Sequence, residues 1–114
     1  MEGEGSPPQP LLRVERTDRD GVPHLELVGE LDLSTVYPLK LRLELAEREE
    51  TEAIVVDLRR VTFMDSIGLG TLLAHRLRAT KAGRKLLLVQ GPSHIQDLFE
   101  LTGTQDKFDW VEAR

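Results

Sequence analysis

Hydrophobic and polar residues alternate in two segments near the start of the chain, Leu12 to Thr17 and His24 to Leu31. A period of two is typical of a β-strand with one buried face. The residues between the segments, Asp18-Arg-Asp-Gly21, are the kind that form tight turns. This pattern therefore predicts a β-hairpin.

The next segment carries conflicting signals for a helix and a strand. Its leucines, at positions 39, 41, 43 and 45, repeat every second residue as they would in a strand. However, Ser34 is a good N-cap, Pro38 falls in the predicted first turn, and the remaining residues are mostly good helix formers. We interpret the segment as a helix.

The rest of the chain alternates between short apolar runs and helical patterns. Ala53 to Asp57 and Leu86 to Gln90 resemble strands covered on both faces. Between them, leucines 69, 72, 73 and 77 have helical spacing, with Asp65 and Ser66 as N-terminal caps and Gly83 as a stop.

The last third of the chain predicts one more helix and one more strand. Gly91-Pro-Ser93 forms a turn and a cap, Ile95 to Leu101 a short helix with Gly103 as its stop, and Phe108 to Val111 a final strand. The predicted order is β-β-α-β-α-β-α-β, an α/β fold with helices packed on a mixed sheet. Residues 1–10 are expected to be a flexible tail, and residues 11–114 a single domain.

Composition narrows the possible functions. The chain has no cysteine, no signal-like start and no apolar run long enough for a membrane span, so we expect a soluble, cytoplasmic protein without a membrane partner. Its net charge of −5 argues against nucleic acid as a partner. Its three histidines, at positions 24, 75 and 94, lack paired metal-ligand spacing, so we predict surface or loop positions for them and no metal.

Ser66 stands where a strand, a sharp turn and a helix start meet. Unpaired N–H groups and the helix dipole favour negative charge there, so a phosphate on Ser66 could be held without melting the helix. Gly68 and Gly70 leave room for the close approach of a kinase or partner. The alternative is that Ser66 is only a cap and that both glycines ease helix packing.

The helical wheel of residues 66–81 predicts which side of this helix faces outward. Leucines 69, 72, 73 and 77 are expected to face the sheet. The opposite side would form a weakly apolar strip available to a partner, made of Ile67, Gly70, Thr71, Ala74 and Arg78.

An enzymatic reading of the same segment is weaker. Met64-Asp-Ser-Ile-Gly68 lacks the first glycine of a G-x-S-x-G nucleophile elbow, and the histidines do not follow a recognisable triad order. Gly68-Leu-Gly70 also lacks the lysine of a phosphate-binding loop. We therefore expect no catalytic residue, no cofactor and no enzyme, with a small serine hydrolase as the less favoured alternative.

Two motifs together carry a resemblance to a known family. Leu27-Val-Gly-Glu-Leu-Asp32 and Phe63-Met-Asp-Ser-Ile-Gly-Leu-Gly70, separated by one helix and one strand, resemble the STAS-domain family of bacterial anti-sigma factor antagonists. The similarity extends from about Leu12 to about Trp110. It implies a last helix, for which the residues up to Arg114 leave little or no room.

The resemblance implies a partner-switching function. The unphosphorylated protein would bind an anti-sigma factor that is also a serine/threonine kinase, and so free the sigma factor; ATP would be bound by that kinase. Phosphorylation at Ser66 would end binding, and a metal-dependent phosphatase would restore it. Asp32 would lie beside the phosphorylation site, and Asp65 matches the acidic residue before the serine. A scaffold subunit of a larger signalling complex is the alternative within this family.

Overall fold

The computed structural model describes residues 11–113, which form a five-stranded sheet and three α-helices. The predicted tail over residues 1–10 lies outside the described residues. The elements are β1 Leu12–Arg19, β2 Val22–Leu31, α1 Val36–Glu47, β3 Ala53–Met64, α2 Ser66–Lys81, β4 Lys85–Val89, α3 Ser93–Leu101 and β5 Asp109–Val111, with a short 3₁₀ helix at Gln105–Lys107 before β5. The predicted order of elements is confirmed.

The hairpin of β1 and β2 closes through the two residues Asp20 and Gly21, which follow the pair Arg19 and Val22. Both turn residues have positive φ, 53° for Asp20 and 78° for Gly21. This is the backbone that a two-residue hairpin turn requires, and it explains why an Asp-Gly pair stands at the turn.

The strands lie in the sheet in chain order, and only β1 runs antiparallel to its neighbour. Each parallel connection passes through a helix, so the carboxyl ends of β2, β3 and β4 share one edge of the sheet. Leu31 at the end of β2 pairs with Met64 at the end of β3. The starts of α1 and α2 therefore lie side by side at this edge.

Strand β3 is longer than the predicted run from Ala53 to Asp57, because it continues to Met64. Arg59 and Arg60 interrupt the apolar pattern, and both are exposed, while Leu58 and Val61 beside them are buried. The extension carries the chain along β2 to the edge where α2 begins.

Two predicted helix caps are wrong by one residue. Thr35, rather than Ser34, is the N-cap of α1, and Pro92, rather than Ser93, is the N-cap of α3. The helix interpretation of the alternating leucines is confirmed, since Leu39 and Leu43 are fully buried against the sheet side of α1.

The predicted inward face of α2 is partly wrong. Leu69 and Leu72 are buried, but the side chain of Leu77 is 54% exposed, whereas His75 is only 4% exposed. His75 was predicted at the surface, and this prediction is wrong; the buried ring has its Nδ1 2.7 Å from Oε2 of Glu47 in α1. A partner 28 residues away gives the imidazole a polar contact inside the fold.

An aromatic cluster secures the last strand. Phe99 of α3 packs edge to face against Phe108 and Trp110, with ring centroids 5.3 and 5.0 Å apart. The Trp110 indole N–H donates to the Gln105 carbonyl at 3.0 Å. None of the helices within residues 11–113 is long and apolar enough to cross a membrane.

Candidate functional site

Asp65 is the residue that caps α2. Its backbone is extended, and its Oδ1 accepts hydrogen bonds from the N–H groups of Ile67 at 2.9 Å and Gly68 at 3.0 Å. Two of the unpaired N–H groups at the helix start are therefore satisfied by one carboxylate.

Ser66 is the first residue of α2, and its side chain is exposed. No group among residues 11–113 forms a hydrogen bond with its hydroxyl. The alternative interpretation of Ser66 as a cap is therefore wrong, because Asp65 performs that role. The hydroxyl is free to react with an incoming group.

Gly68 accounts for the close approach of α2 to the end of β2. A Cβ at this position would lie 2.6 Å from the Leu31 carbonyl oxygen and 2.8 Å from Leu31 Cγ. The Asp65 N–H also donates to the Leu31 carbonyl at 3.2 Å. Because Gly68 is buried, packing against Leu31, rather than room for a partner, explains the glycine.

Asp32 follows Leu31 directly, so its loop lies next to the start of α2. Its Oδ1 accepts hydrogen bonds from the Ser34 hydroxyl at 2.7 Å and the Ser34 N–H at 2.9 Å, and lies 3.3 Å from Thr35 Oγ1. The Ser34 hydroxyl, followed by the Ser34 N–H and the Thr35 hydroxyl, lowers the pKa of Asp32. The carboxylate is therefore charged at neutral pH.

The strip predicted opposite the sheet lies at the surface. Ile67, Gly70, Ala74 and Arg78 are exposed, and Thr71 is half-buried. The Thr71 hydroxyl donates to the Ile67 carbonyl at 2.9 Å within the helix. A Cβ at Gly70 would meet nothing within 4 Å, so the surface beside Ser66 is open.

Two exposed apolar side chains that the sequence analysis did not single out lie at the same edge. Leu33 follows Asp32, and Phe63 is the next-to-last residue of β3. With Ile67 they place large exposed apolar side chains in the two segments that carry Asp32 and Ser66. The sequence alone does not predict the exposure of Leu33 and Phe63, because the direction in which a side chain points at the end of a strand or in a loop depends on tertiary packing.

A second group missed by the sequence analysis links α1 to α2. The carboxylate of Glu47 contacts His75 Nδ1 through Oε2 and the Arg78 guanidinium through Oε1, each at 2.7 Å. The Arg84 guanidinium donates to the Glu47 carbonyl at 2.8 Å. Arg78, a residue of the predicted partner strip, is thus held in place by α1.

The histidines do not give Ser66 the geometry of an activated nucleophile. His75 contacts Glu47, the His94 Nε2 lies 2.8 Å from the Thr62 carbonyl oxygen, and the His24 ring contacts the Val22 carbonyl. Within residues 11–113, no histidine forms a hydrogen bond with Ser66, so the arrangement lacks the base that a serine nucleophile needs.

A family model described as "Mlab, STAS domain" matches residues 14–111 of the chain. The anti-sigma-B factor antagonist of Staphylococcus aureus (strain NCTC 8325 / PS 47) is 38% identical over 96 residues, which cover 83% of this chain and 88% of the relative.

Two solved structures are similar in fold. An anti-sigma factor antagonist from Mycobacterium paratuberculosis has a TM-score of 0.81 at 25% identity, covering 90% of this chain and 86% of that protein. The anti-sigma factor antagonist SpoIIAA in its unphosphorylated form has a TM-score of 0.72 at 21% identity, covering 90% and 88%.

Proposed function

The chain belongs to the STAS-domain family, and on that premise we propose that it is an anti-sigma factor antagonist switched by phosphorylation of Ser66. The observation that carries the proposal is the free, exposed hydroxyl of Ser66 beside a carboxylate that already caps the helix. The hydroxyl of a serine placed in this way makes no hydrogen bond that supports the helix start. It can therefore be phosphorylated without unfolding of the helix.

The proposed partner of the unphosphorylated chain is an anti-sigma factor that is also a serine/threonine kinase. Binding of the antagonist releases the sigma factor, and the ATP for phosphorylation is bound by the kinase. A metal-dependent phosphatase resets the switch, and the chain itself catalyses neither reaction. The relative that is 38% identical and named as an anti-sigma-B factor antagonist supports this assignment.

Electrostatics provide the mechanism of release. A phosphoserine adds a charge of about −1.5 to −2. The N–H groups of Ile67 and Gly68 already donate to Asp65, so the start of α2 offers the phosphate little compensation unless Asp65 is displaced. No Lys or Arg within residues 11–113 forms an ion pair with Asp32 or Asp65. The phosphate therefore joins two carboxylates that no cation neutralises, and an interface that covered all three groups would bury repelling charge.

The unmodified surface has the opposite character. Leu33, Phe63 and Ile67 supply apolar contact area around Ser66. Beyond them, Gly70 and Ala74 allow a partner to approach the α2 backbone closely. We therefore propose that the partner covers Ser66 itself, so that one phosphate at the centre of the contact is enough to end binding.

Calorimetry with the cognate anti-sigma factor kinase tests the proposal. Ser66→Ala is expected to bind like the unphosphorylated parent, while Ser66→Asp and the phosphorylated parent bind at least tenfold more weakly. Leu101→Asp serves as a control, because it adds the same charge at an exposed position at the end of α3, outside the proposed contact surface. Equal affinities for the Ser66→Ala and Ser66→Asp variants would contradict the switch.

A further inference from the structure

Helix α1 has two apolar faces. Its buried face consists of Leu39, Leu43 and Ala46. A second set of large side chains lies on the other side of the helix and is exposed: Tyr37 by 68%, Leu41 by 42% and Leu45 by 44%. The spacing of i, i+4 and i+8 aligns these three side chains in one stripe along the helix, here called the α1 stripe.

The α1 stripe is not needed to build the fold. Isolated apolar residues at the surface are common, but three large ones aligned along two turns of a helix form a continuous contact area. Apolar residues around most of a helix are typical of a helix with contacts on both sides. Within residues 11–113, contacts exist on only one side, because α1 packs against β1, β2 and α2.

The charges beside the α1 stripe indicate what covers it. Lys40, Arg42 and Arg48 are exposed, and none of them forms an ion pair with a residue from 11–113. Glu44 is the acid on the same side of the helix. The α1 stripe therefore has a positive border on a chain whose net charge is −5.

Two acids at the end of α1, Glu47 and Glu49, do not neutralise this border. Glu47 contacts His75 and Arg78, and Glu49 forms an ion pair with Arg16 at 2.7 Å. Their charges are already matched by cations outside the α1 stripe or engaged by the buried imidazole. The positive border thus remains available to an acidic partner.

We infer that the α1 stripe docks an amphipathic helix of the anti-sigma factor, one with an apolar face and acidic flanks. This inference rests on the proposed function and adds a second contact region to the surface around Ser66. An apolar stripe with charged borders fits the helix-in-groove mode of recognition, in which side chains spaced by three and four residues make the contact.

The two contact regions lie on neighbouring helices that touch each other. The α1 stripe starts at Tyr37, two residues after Thr35, whose hydroxyl bonds the end of β2. Farther along the helix, Glu47 holds Arg78 of the α2 strip at 2.7 Å. A partner that covers Ser66 can therefore lie across both helices.

Two other occupants fit less well. A second copy of the chain packed through the same stripe would bring the cations of both borders, Lys40, Arg42 and Arg48, close together, and like charges repel. A membrane surface is disfavoured because the α1 stripe spans only nine residues, a rise of about 12 Å, and a chain of net charge −5 is repelled by anionic lipid.

The test measures the affinity of the unphosphorylated chain for the cognate anti-sigma factor kinase by calorimetry. Leu41→Glu and Leu45→Glu are each expected to raise Kd at least tenfold. Leu41→Ala, which removes contact area without adding charge, is expected to raise Kd about threefold and keeps the test valid if a glutamate variant fails to fold. Leu101→Glu is the matched control, because Leu101 is an exposed leucine at the end of α3, outside both proposed contact regions; its Kd is expected to stay within twofold of the parent.

The outcomes separate this inference from the proposed function. If the parent binds and the Leu41 and Leu45 variants bind equally well, the inference is overturned and the proposed function stands. If the parent does not bind, both fail. Sedimentation of the parent alone and with anionic phospholipid vesicles covers the other occupants: a dimer or vesicle binding that Leu41→Glu abolishes would overturn the inference in favour of that occupant.

Discussion

The starts of α1 and α2 lie at the same edge of the sheet, and both contain hydroxyl side chains next to an aspartate. At α1, both hydroxyls are engaged: Ser34 donates to Asp32 at 2.7 Å, and Thr35 donates to the Glu30 carbonyl at 2.7 Å. At α2, Asp65 caps the helix alone, and no group from residues 11–113 bonds the Ser66 hydroxyl.

The two helix starts differ in which groups satisfy the backbone. A hydroxyl that satisfies backbone groups must give up its hydrogen bond before it reacts, and a buried one such as Thr35 must also become exposed. Where a carboxylate accepts the hydrogen bonds of the helix-start N–H groups, the hydroxyl of the neighbouring serine does not have to accept them. Both helix starts contain a serine, and they differ in whether the serine hydroxyl takes part in the hydrogen bonds at the helix start.

The largest expected effect concerns phosphate transfer. Incubation with the cognate kinase and ATP, followed by mapping with mass spectrometry, should place phosphate on Ser66 and none on Ser34. Ser66→Ala should abolish incorporation, and Ser34→Ala should leave it unchanged. Phosphate found mainly on Ser34, Thr62, Thr71 or Ser93 would show that a free helix-start hydroxyl does not determine the site.

The two glycines of α2 provide the next contrast. Gly68→Ala should destabilise the fold by about 2–3 kcal/mol, because its Cβ would overlap the Leu31 carbonyl oxygen at 2.6 Å. Gly70→Ala has open space and should stabilise the helix by roughly 0.5–1 kcal/mol. Urea denaturation measures both; losses of similar size would mean that α2 does not pack closely against β2.

A smaller effect separates the engaged hydroxyl from the free one. Thr35→Val removes the partner of the Glu30 carbonyl and of the Asp32 N–H, which should cost about 1–2 kcal/mol of unfolding free energy. Ser66→Ala should change the free energy of unfolding by less than about 0.5 kcal/mol. A Ser66→Ala variant as destabilised as Thr35→Val would indicate a structural role for the Ser66 hydroxyl.

Hydrophobic periodicity was sufficient to predict the element order, since it reports which side of each strand or helix is buried. The Asp-Gly turn and the helix stop at Gly83 were predictable for a local reason, because positive φ favours glycine. The position of Ser66 between a strand and a helix was also predictable, and Ser66 is the first residue of α2.

Features that depend on distant residues were not predictable from the pattern. His75 is buried beside Glu47 of α1, while Leu77, two residues later in the same helix, is exposed. Asp65 and Ser66 were equally good caps by residue type, and only the backbone at the helix start decides between them. The extension of β3 was hidden by Arg59 and Arg60, whose charges break the apolar run.

The smallest expected effect is a pH dependence at the start of α1. The Ser34 hydroxyl and the backbone N–H of Ser34 lower the pKa of Asp32 below the ordinary value of 3.8. The charged carboxylate therefore stabilises the fold above this value, and the contribution is lost as pH falls through the lowered pKa of the folded state. Thermal unfolding of Asp32→Asn should give a lower Tm than the parent at pH 7, and the difference in Tm should narrow below about pH 4.

Asp97→Asn is the control for this pH dependence, because Asp97 is exposed and forms no hydrogen bond or ion pair with a residue from 11–113. A gap between the parent and Asp32→Asn that stays constant from pH 7 to pH 3 would mean that the hydrogen bonds of Asp32 do not depend on its charge.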